Sequence, residues 1–230
     1  MKIGVIYFSQ EIDNARKHHS VSNKLLSIWL KFYHKSKTTL EPILITDQKT
    51  VIPKFWNYDY IRIIDCESEK SNDILHKVGW IKHQVFDYIG KCLLLDLDAF
   101  IISNLDHVKE IECPFAMAVD FNTFSKNWWF YETYPDSKYK HNAGVMILNS
   151  AEISSKFKNK WEEKFDEFKS ITFLDEVIFS DIKNELNGYS LDVNYNFVWE
   201  QNIPNDCKII HFSGANKSKI KEFLHENIFI

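Results

Sequence analysis

Residues 91–102 read Lys-Cys-Leu-Leu-Leu-Asp-Leu-Asp-Ala-Phe-Ile-Ile, and this stretch decides the fold. The short apolar run follows a helix-like segment, which predicts a buried strand. Asp96 and Asp98 interrupt the run, although a sheet interior does not accept unpaired carboxylates. Side chains two residues apart lie on one face of an extended segment, so we expect both carboxylates to point the same way. A strand that ends at Asp96 also places both at its carboxyl edge, where open α/β sheets bind ligands.

The carboxylate pair has two explanations. Carboxylate oxygens are hard ligands that suit a divalent cation also bound by phosphates. Alternatively, Asp96 only ends the strand and Asp98 caps a turn, as short acidic pairs often do. The other motifs of the chain favour the cation site.

Composition narrows the class of protein. The chain has 230 residues, of which 45% are hydrophobic and 26% are charged, as in an ordinary soluble protein. This length suits one domain, or two lobes that share one sheet. A formal net charge of −4 argues against non-specific nucleic-acid binding, which needs a basic surface.

Cysteine spacing and the apolar runs predict a cytoplasmic location. The four cysteines are scattered without a Cys-x-x-Cys pair, so we expect free thiols and no zinc site. The opening run 2–8 is too short for the core of a signal peptide. No run approaches the length that spans a membrane.

The order of predicted elements indicates an α/β fold, a mostly parallel central sheet flanked by helices. Apolar runs predict strands at 3–8, 42–46, 60–64, 115–119, 144–148 and 208–212, besides the strand that ends at Asp96. Helical spacing predicts a helix from Ser22 and another over 73–89. This order of strands and helices gives a sheet with right-handed crossovers.

Further helices are predicted in the second half of the chain. Asn149, with a Glu three residues later, resembles a capping box. Thr172 resembles a second helix start, and Asn187-Gly188 ends that helix. The lysine-rich tail to Ile230 predicts an amphipathic helix, for which docking on the domain is favoured over contact with an anionic membrane surface.

A second polar motif follows the last predicted strand. It reads His211-Phe212-Ser213-Gly214-Ala215-Asn216-Lys217. A neutral imidazole is a good third ligand for a cation such as Mn²⁺ beside two carboxylates. Gly214 allows close backbone approach, and Lys217 supplies a positive charge for a phosphate. The alternative is a structural histidine. The chain has no glycine-rich phosphate loop, so if the sheet binds a nucleotide, metal and lysine charges would hold its phosphates.

Four motifs occur in the order seen in retaining glycosyltransferases with the GT-A fold. They are Asp96-x-Asp98, His141-Asn142-Ala143-Gly144-Val145-Met146-Ile147-Leu148-Asn149, Phe173-Leu174-Asp175-Glu176 and His211-x-x-Gly214-x-x-Lys217. The chain resembles glycosyltransferase family 8, which includes glycogenin and lipopolysaccharide galactosyltransferases. Trp80-x-Lys82 and the His-Phe-x-Gly ending also resemble the galactomannan and xyloglucan α-glycosyltransferases.

The resemblance implies a single GT-A domain over 1–230. Its nucleotide-sugar-binding half is 1–103 and its acceptor-binding half is 104–230. It implies a Mn²⁺ or Mg²⁺ ion held by Asp96, Asp98 and His211, which bridges the diphosphate of a UDP-sugar. Glucose or galactose is the favoured sugar, and the acceptor is a hydroxyl of a glycan or another molecule.

The resemblance also implies two sets of site residues. The donor-binding set lies around the nucleobase, diphosphate and sugar, and consists of Tyr7, Ser9, Lys82, Asp96, Asp98, Asp120, Gly214 and Lys217. The catalytic set contacts the donor sugar and the acceptor, and consists of Asn142, Asp175 and Glu176. For Tyr7 and Phe8, strand alternation also predicts burial of one ring.

Three positions depart from the family pattern. Glu176 stands where the family usually has Gln, so it either stabilises a developing oxocarbenium ion or acts as a nucleophile. Ser218-Lys219 stands in place of Pro-Trp, which predicts a more mobile phosphate loop. Lys82 does not match the family 8 spacing and rests on the second resemblance. Asp175 has a structural alternative, a capping acid at the start of its helix.

The implied activity is metal-dependent hexosyl transfer with retention, by attack on the leaving-group face. Other classes are a nucleotide-sugar hydrolase, which keeps the donor site without an acceptor cleft, and a sugar-phosphate nucleotidyltransferase. The latter needs a glycine-rich, basic N-terminal loop, which 9–17 does not supply. A non-catalytic sugar-binding module is disfavoured because all three ligand residues are present.

Overall fold

The fold is described from a computed structural model for residues 1–9, 23–63, 74–119, 141–168, 174–199, 203–213 and 218–228. Three predicted site residues, Asp120, Gly214 and Lys217, lie outside these ranges, as does Cys66. The other predicted site residues all lie within them. In the described part of the chain, Cys92, Cys113 and Cys207 are free thiols.

Strands of the described residues form one large sheet and one small sheet. The large sheet contains β1 (Lys2–Ile6), β2 (Glu41–Thr46), β3 (Asp59–Arg62), β4 (Cys92–Leu95), β6 (Phe115–Val119), β7 (His141–Leu148) and β8 (Tyr189–Leu191), in the order β3-β2-β1-β4-β7-β6-β8. The small sheet pairs β5 (Ala99–Ile101) with β9 (Ile209–His211). The predicted strands therefore exist, although the last one belongs to the small sheet.

Strand directions bring the functional motifs to one edge of the large sheet. β1, β2, β3 and β4 are parallel, and β8 is parallel to β6. β7 runs antiparallel between β4 and β6. The carboxyl end of β4 therefore meets the amino end of β7. The mostly parallel sheet that the sequence predicts is confirmed.

Helices cover both faces of this sheet. They are α1 (Asn23–Ser36), α2 (Ile74–Lys82), α3 (Val85–Ile89), α4 (Glu152–Phe168), α5 (Leu174–Glu185) and α6 (Ile220–Ile228). Successive side chains of β4 alternate between two hydrophobic clusters. Leu93 and Leu95 pack in the cluster that contains Trp29 of α1, whereas Cys92 and Leu94 pack in the one that contains Phe157 of α4. A strand covered on both faces is continuously apolar, which explains its sequence.

The C-terminal helix α6 packs on the domain. Phe223 is fully buried, and its ring lies against those of Phe32, Phe100 and Phe212. None of the helices in the described ranges is both long enough and apolar enough to cross a membrane.

Local hydrogen bonds correct two helix predictions. The segment 73–89 is not one helix, because α2 ends at Lys82 and the amide of Gln84 donates to the carbonyl of Ile81 at 3.1 Å. The helix that begins at Glu152 is not capped by Asn149. Its first amide donates to Oγ of Ser150 at 3.2 Å, while the Asn149 side chain donates to a carbonyl before β6.

Candidate functional site

Asp96 and Asp98 lie in a tight turn between β4 and β5. The amide of Ala99 donates to the carbonyl of Asp96 at 3.0 Å, which closes the turn. The expectation that an extended strand places both carboxylates on one face is therefore wrong. The chain turns here from β4 into the small sheet, where β5 pairs with β9, and ligand atoms of the two carboxylates lie within 4.8 Å of each other.

His211 ends β9 directly opposite this turn. It pairs with Ala99 in the small sheet, and the amide of Phe212 donates to the carbonyl of Asp98 at 3.1 Å. Ligand atoms of Asp96, Asp98 and His211 all lie within 4.8 Å of one another. Asp98 and His211 are buried, whereas the Asp96 side chain is 27% exposed, so the cluster opens to solvent through Asp96.

Asn196 fixes the orientation of the His211 ring. Its side-chain Nδ2 donates to the carbonyl of Val119 at 3.1 Å, so its Oδ1 is the atom that faces His211 Nδ1, at 2.7 Å. An amide oxygen only accepts, and the Nδ1 proton is therefore directed to Asn196. In the neutral ring this leaves the Nε2 lone pair facing Asp98 Oδ1 at 3.4 Å. A cation between these two acceptors resolves their repulsion, so the donor set fits a metal ion.

Gly144 makes room for the imidazole. A Cβ atom at this position would lie 2.2 Å from His211 Cε1 and 2.7 Å from Asn142 Oδ1, and only glycine avoids both clashes. The Gly144 carbonyl also accepts a hydrogen bond from the amide of Asp96 at 2.8 Å. One residue of β7 therefore contacts both halves of the candidate metal site.

Lys82, at the end of α2, is the buried cation of the site. Its Nζ lies 2.9 Å from Asp96 Oδ1, 3.0 Å from the carbonyl of Ala143 and 3.5 Å from Asp175 Oδ2. An ammonium group has three protons, so these three acceptors satisfy it. Burial alone would lower the pKa of Lys82, but the carboxylates of Asp96 and Asp175 raise it well above its ordinary value.

The predicted catalytic residues lie beside Lys82. Asp175 and Glu176 are in the first turn of α5, and burial raises the pKa of Asp175 while Lys82 opposes that rise. Asn142 Nδ2 donates to Glu176 Oε1 at 2.6 Å, and Asn142 Oδ1 accepts from the amide of Gly144 at 2.7 Å. The amide of Asn142 thus holds the carboxylate of Glu176 in one place.

The predicted nucleobase contacts lie at the end of β1. Tyr7 and Phe8 are both buried, and the Tyr7 hydroxyl lies 2.5 Å from Asn23 Oδ1. Ser9 is half-buried, and its hydroxyl accepts from the amide of Val51 at 2.8 Å. Ser9 therefore follows β1 at the end of the strand, and its contact with a nucleobase stays a prediction. Both aromatic rings belong to the core, whereas strand alternation predicts burial of only one.

The structure brings seven of the predicted residues into one cluster. They are Lys82, Asp96, Asp98, Asn142, Asp175, Glu176 and His211. Sequence analysis missed two supporting residues, Asn196 and Gly79. A Cβ at Gly79 would lie 2.6 Å from Asp175 Cβ, so this glycine lets α2 and α5 approach each other. Local spacing carries no signal for either contact.

Comparisons with known proteins identify the fold. No protein-family model and no curated protein sequence matches the chain. Among solved structures, it is similar to the galactosyltransferase LgtC in complex with donor and acceptor sugar analogs, with a TM-score of 0.62 and 13% identity over 94% of this chain and 88% of that one. An active-site mutant of LgtC, in which Glu replaces Gln, gives a TM-score of 0.59 and 12% identity.

The glycosyltransferase GlyE from Streptococcus pneumoniae TIGR4 is also similar. Its TM-score is 0.60 at 17% identity, over 98% of this chain and 59% of GlyE, so the chain spans little more than half of that protein. Similarity at these identities defines the fold. The predicted GT-A fold of glycosyltransferases is confirmed.

Replacement of Lys82 by Met tests the buried cation. The variant leaves the Asp175 carboxylate, whose side chain is 15% exposed, without its counter-charge, so we expect the free energy of unfolding to fall by about 3 kcal/mol. Urea denaturation measures this change. Lys2→Met is the matched control, because Lys2 pairs with Asp59 at 3.1 Å on the surface and its loss costs about 0–1 kcal/mol. Equal losses in the two variants would contradict a special role for Lys82.

Proposed function

We propose that this protein is a metal-dependent glycosyltransferase that moves a hexose from a UDP-sugar to a hydroxyl of a glycan or similar acceptor, with retention of configuration. The observation that supports it most is the convergence of Asp96, Asp98 and His211 at the carboxyl edge of a GT-A sheet. The same edge carries an oriented Glu176 carboxylate. LgtC, of the same fold, is known in complex with donor and acceptor sugar analogs.

Mn²⁺ or Mg²⁺ is the proposed cofactor. Two carboxylates and one neutral imidazole suit such a cation better than they suit a soft metal, which prefers thiolates. When bound, the cation neutralises charge on the departing diphosphate as a Lewis acid. The orientation of His211 by Asn196 keeps Nε2 available for this purpose.

Glu176 has a proposed electrostatic role at the donor sugar. Its carboxylate is held by Asn142, which is itself fixed by the amide of Gly144. A negative charge that is already in position stabilises a developing oxocarbenium ion without reorganisation. In the proposed front-side reaction, the bond from the anomeric carbon to the phosphate oxygen breaks and a bond to the acceptor oxygen forms. The acceptor proton passes to the departing phosphate oxygen.

The remaining donor contacts are proposed from the sequence alone. Lys217, Gly214 and Asp120 are proposed to contact the diphosphate and nucleoside, with Ser9 near the base. We further propose a single domain with its donor half in 1–103 and its acceptor half in 104–230, in a cytoplasmic protein. The three acceptors around Lys82 favour a different role for that residue, which is to hold Asp96 and Asp175 in place.

A thermal-shift panel tests donor and metal together. UDP, UDP-glucose, UDP-galactose and GDP are each combined with Mn²⁺, Mg²⁺ or EDTA. A ligand at 100 times its Kd stabilises the folded state by about 2.7 kcal/mol, so we expect one UDP-sugar with metal to raise the unfolding midpoint by about 5–10 °C. EDTA abolishes the shift.

Two aspartate variants test whether the thermal shift depends on the candidate metal site. Asp98→Asn keeps the side-chain shape and removes a ligand charge, so the shift disappears. Asp59→Asn is the control, since Asp59 is on the surface with a side chain 78% exposed, and it keeps the shift. No shift with any nucleotide, or an equal shift in EDTA, would overturn the proposal.

Steady-state kinetics test the role of Glu176. In Glu176→Gln the side-chain oxygen still accepts the hydrogen bond from Asn142 but carries no charge, so we expect kcat to fall about 10²–10³-fold while donor affinity is kept. Glu185→Gln, at the exposed end of the same helix, serves as the control.

NMR of the wild-type product should show a retained anomer. An inverted anomer would exclude front-side attack, and free sugar alone would indicate a hydrolase.

A further inference from the structure

A groove lies along the edge of the large sheet, beside the last strand. It is bordered by β8, by the 3₁₀ helix η1 (Asp106–Glu110) and by the 3₁₀ helix η2 (Val193–Tyr195). Its volume is about 450 Å³, which is within the usual range of small-molecule sites. The lining residues are His107, Ile111, Glu112, Cys113, Tyr189, Leu191, Asp192 and Tyr195. None of them belongs to the candidate metal site or to the predicted donor set.

Aromatic rings form two of its walls. Tyr189 belongs to the edge strand β8 and is 57% exposed, so one face of its ring is open to a ligand. Tyr195 is half-buried, and its hydroxyl is hydrogen-bonded to the His107 ring, which fixes its orientation. Leu191 is buried and forms an apolar floor. The groove therefore offers rigid aromatic and aliphatic surface next to water.

The charged residues around the groove limit which ligands it can bind. Glu112 and Asp192 are exposed at the rim, and the lining residues of the described chain include no lysine or arginine. The adjacent Lys91 donates to the carbonyls of Lys109 and Ile111. Lys91 near Cys113 and Lys208 near His107 offset the two carboxylates, so the groove gives an anion no net attraction. Carboxylate oxygens accept hydrogen bonds from hydroxyl groups, so a neutral polyhydroxyl ligand meets both requirements.

A hexose unit has the two properties that complement this groove, an apolar ring face and hydroxyl donors. One face of its ring presents C–H groups, which pack on an aromatic ring, and its edge presents hydroxyl donors. We propose that this groove is a second saccharide-binding site that holds a neutral hexose unit of a glycan, with Tyr189 as the stacking platform and Glu112 and Asp192 as hydroxyl acceptors.

The groove is connected to the metal site by chain continuity. Tyr195 lines the groove, and the next residue, Asn196, is the one that orients His211. A glycan held here contacts Tyr195, the chain neighbour of Asn196, and does not occupy the metal centre. On the proposed function, this site retains an acceptor glycan at a distance from the hydroxyl that reacts. That second role rests on the proposed function, whereas saccharide binding does not.

Glycan binding by the metal-free protein tests the site. The wild-type chain is applied in EDTA to an array of short neutral gluco- and galacto-oligosaccharides, and the strongest ligand is then titrated calorimetrically. We expect Tyr189→Ala to weaken binding about tenfold through loss of stacking. Tyr60→Ala is the matched control, because Tyr60 is a tyrosine 50% exposed on β3, the opposite edge strand, and it should bind as the wild type does.

Asp98→Asn separates this site from the metal centre. Unchanged glycan binding by this variant supports the groove, even where the nucleotide panel shows no donor and the proposed function fails. Three results would overturn the inference: no array glycan binds, Tyr189→Ala binds like the wild type, or Asp98→Asn abolishes binding and thereby places the sugar at the metal centre. Glu112→Gln gives an independent measure, with a several-fold loss expected from the weaker acceptor.

Discussion

The buried ammonium of Lys82 is the contact on which the site depends. It joins the end of α2 to the turn after β4 through Asp96, to β7 through the Ala143 carbonyl and to α5 through Asp175. A buried charge is costly unless every proton finds an acceptor, so these elements stay in one arrangement. Gly79 permits this arrangement because a larger residue there would push Asp175 away.

The contacts of Lys82 also restrict the position of Asp96 in the candidate metal site. Lys82 contacts Oδ1 of Asp96, and the backbone amide of Asp96 donates to the Gly144 carbonyl. The Asp96 side chain therefore has little conformational freedom. Gly144 in turn admits the His211 ring. On the other side Asn196 sets the tautomer of that ring. Side chains of the candidate site that come from distant parts of the chain are thus held by a short series of buried contacts, which is how a rigid scaffold preorganises a site.

The clustering of Asp96, Asp98 and His211 and the mostly parallel sheet are predictable from the sequence because they depend on local chemistry. An acidic pair after an apolar strand and a histidine after another such strand are visible in the chain. The supporting contacts are not visible, because they join residues distant in sequence: Asn196 to His211, and Lys82 to Asp175. The pairing of β5 with β9 is likewise not visible, so the sequence leaves open whether Asp96 and Asp98 continue a strand or form a turn.

The proposed function requires that Asp96, Asp98 and His211 hold one divalent cation. Pulsed electron paramagnetic resonance of added Mn²⁺ tests it most directly, because it detects ¹⁴N coupling from a bound imidazole. We expect coupling in the wild type, none in His211→Gln, and a weakened or absent signal in Gly144→Ala, where the new Cβ displaces the ring. Mn²⁺ that binds without nitrogen coupling in the wild type, or with the same coupling in His211→Gln, would contradict it.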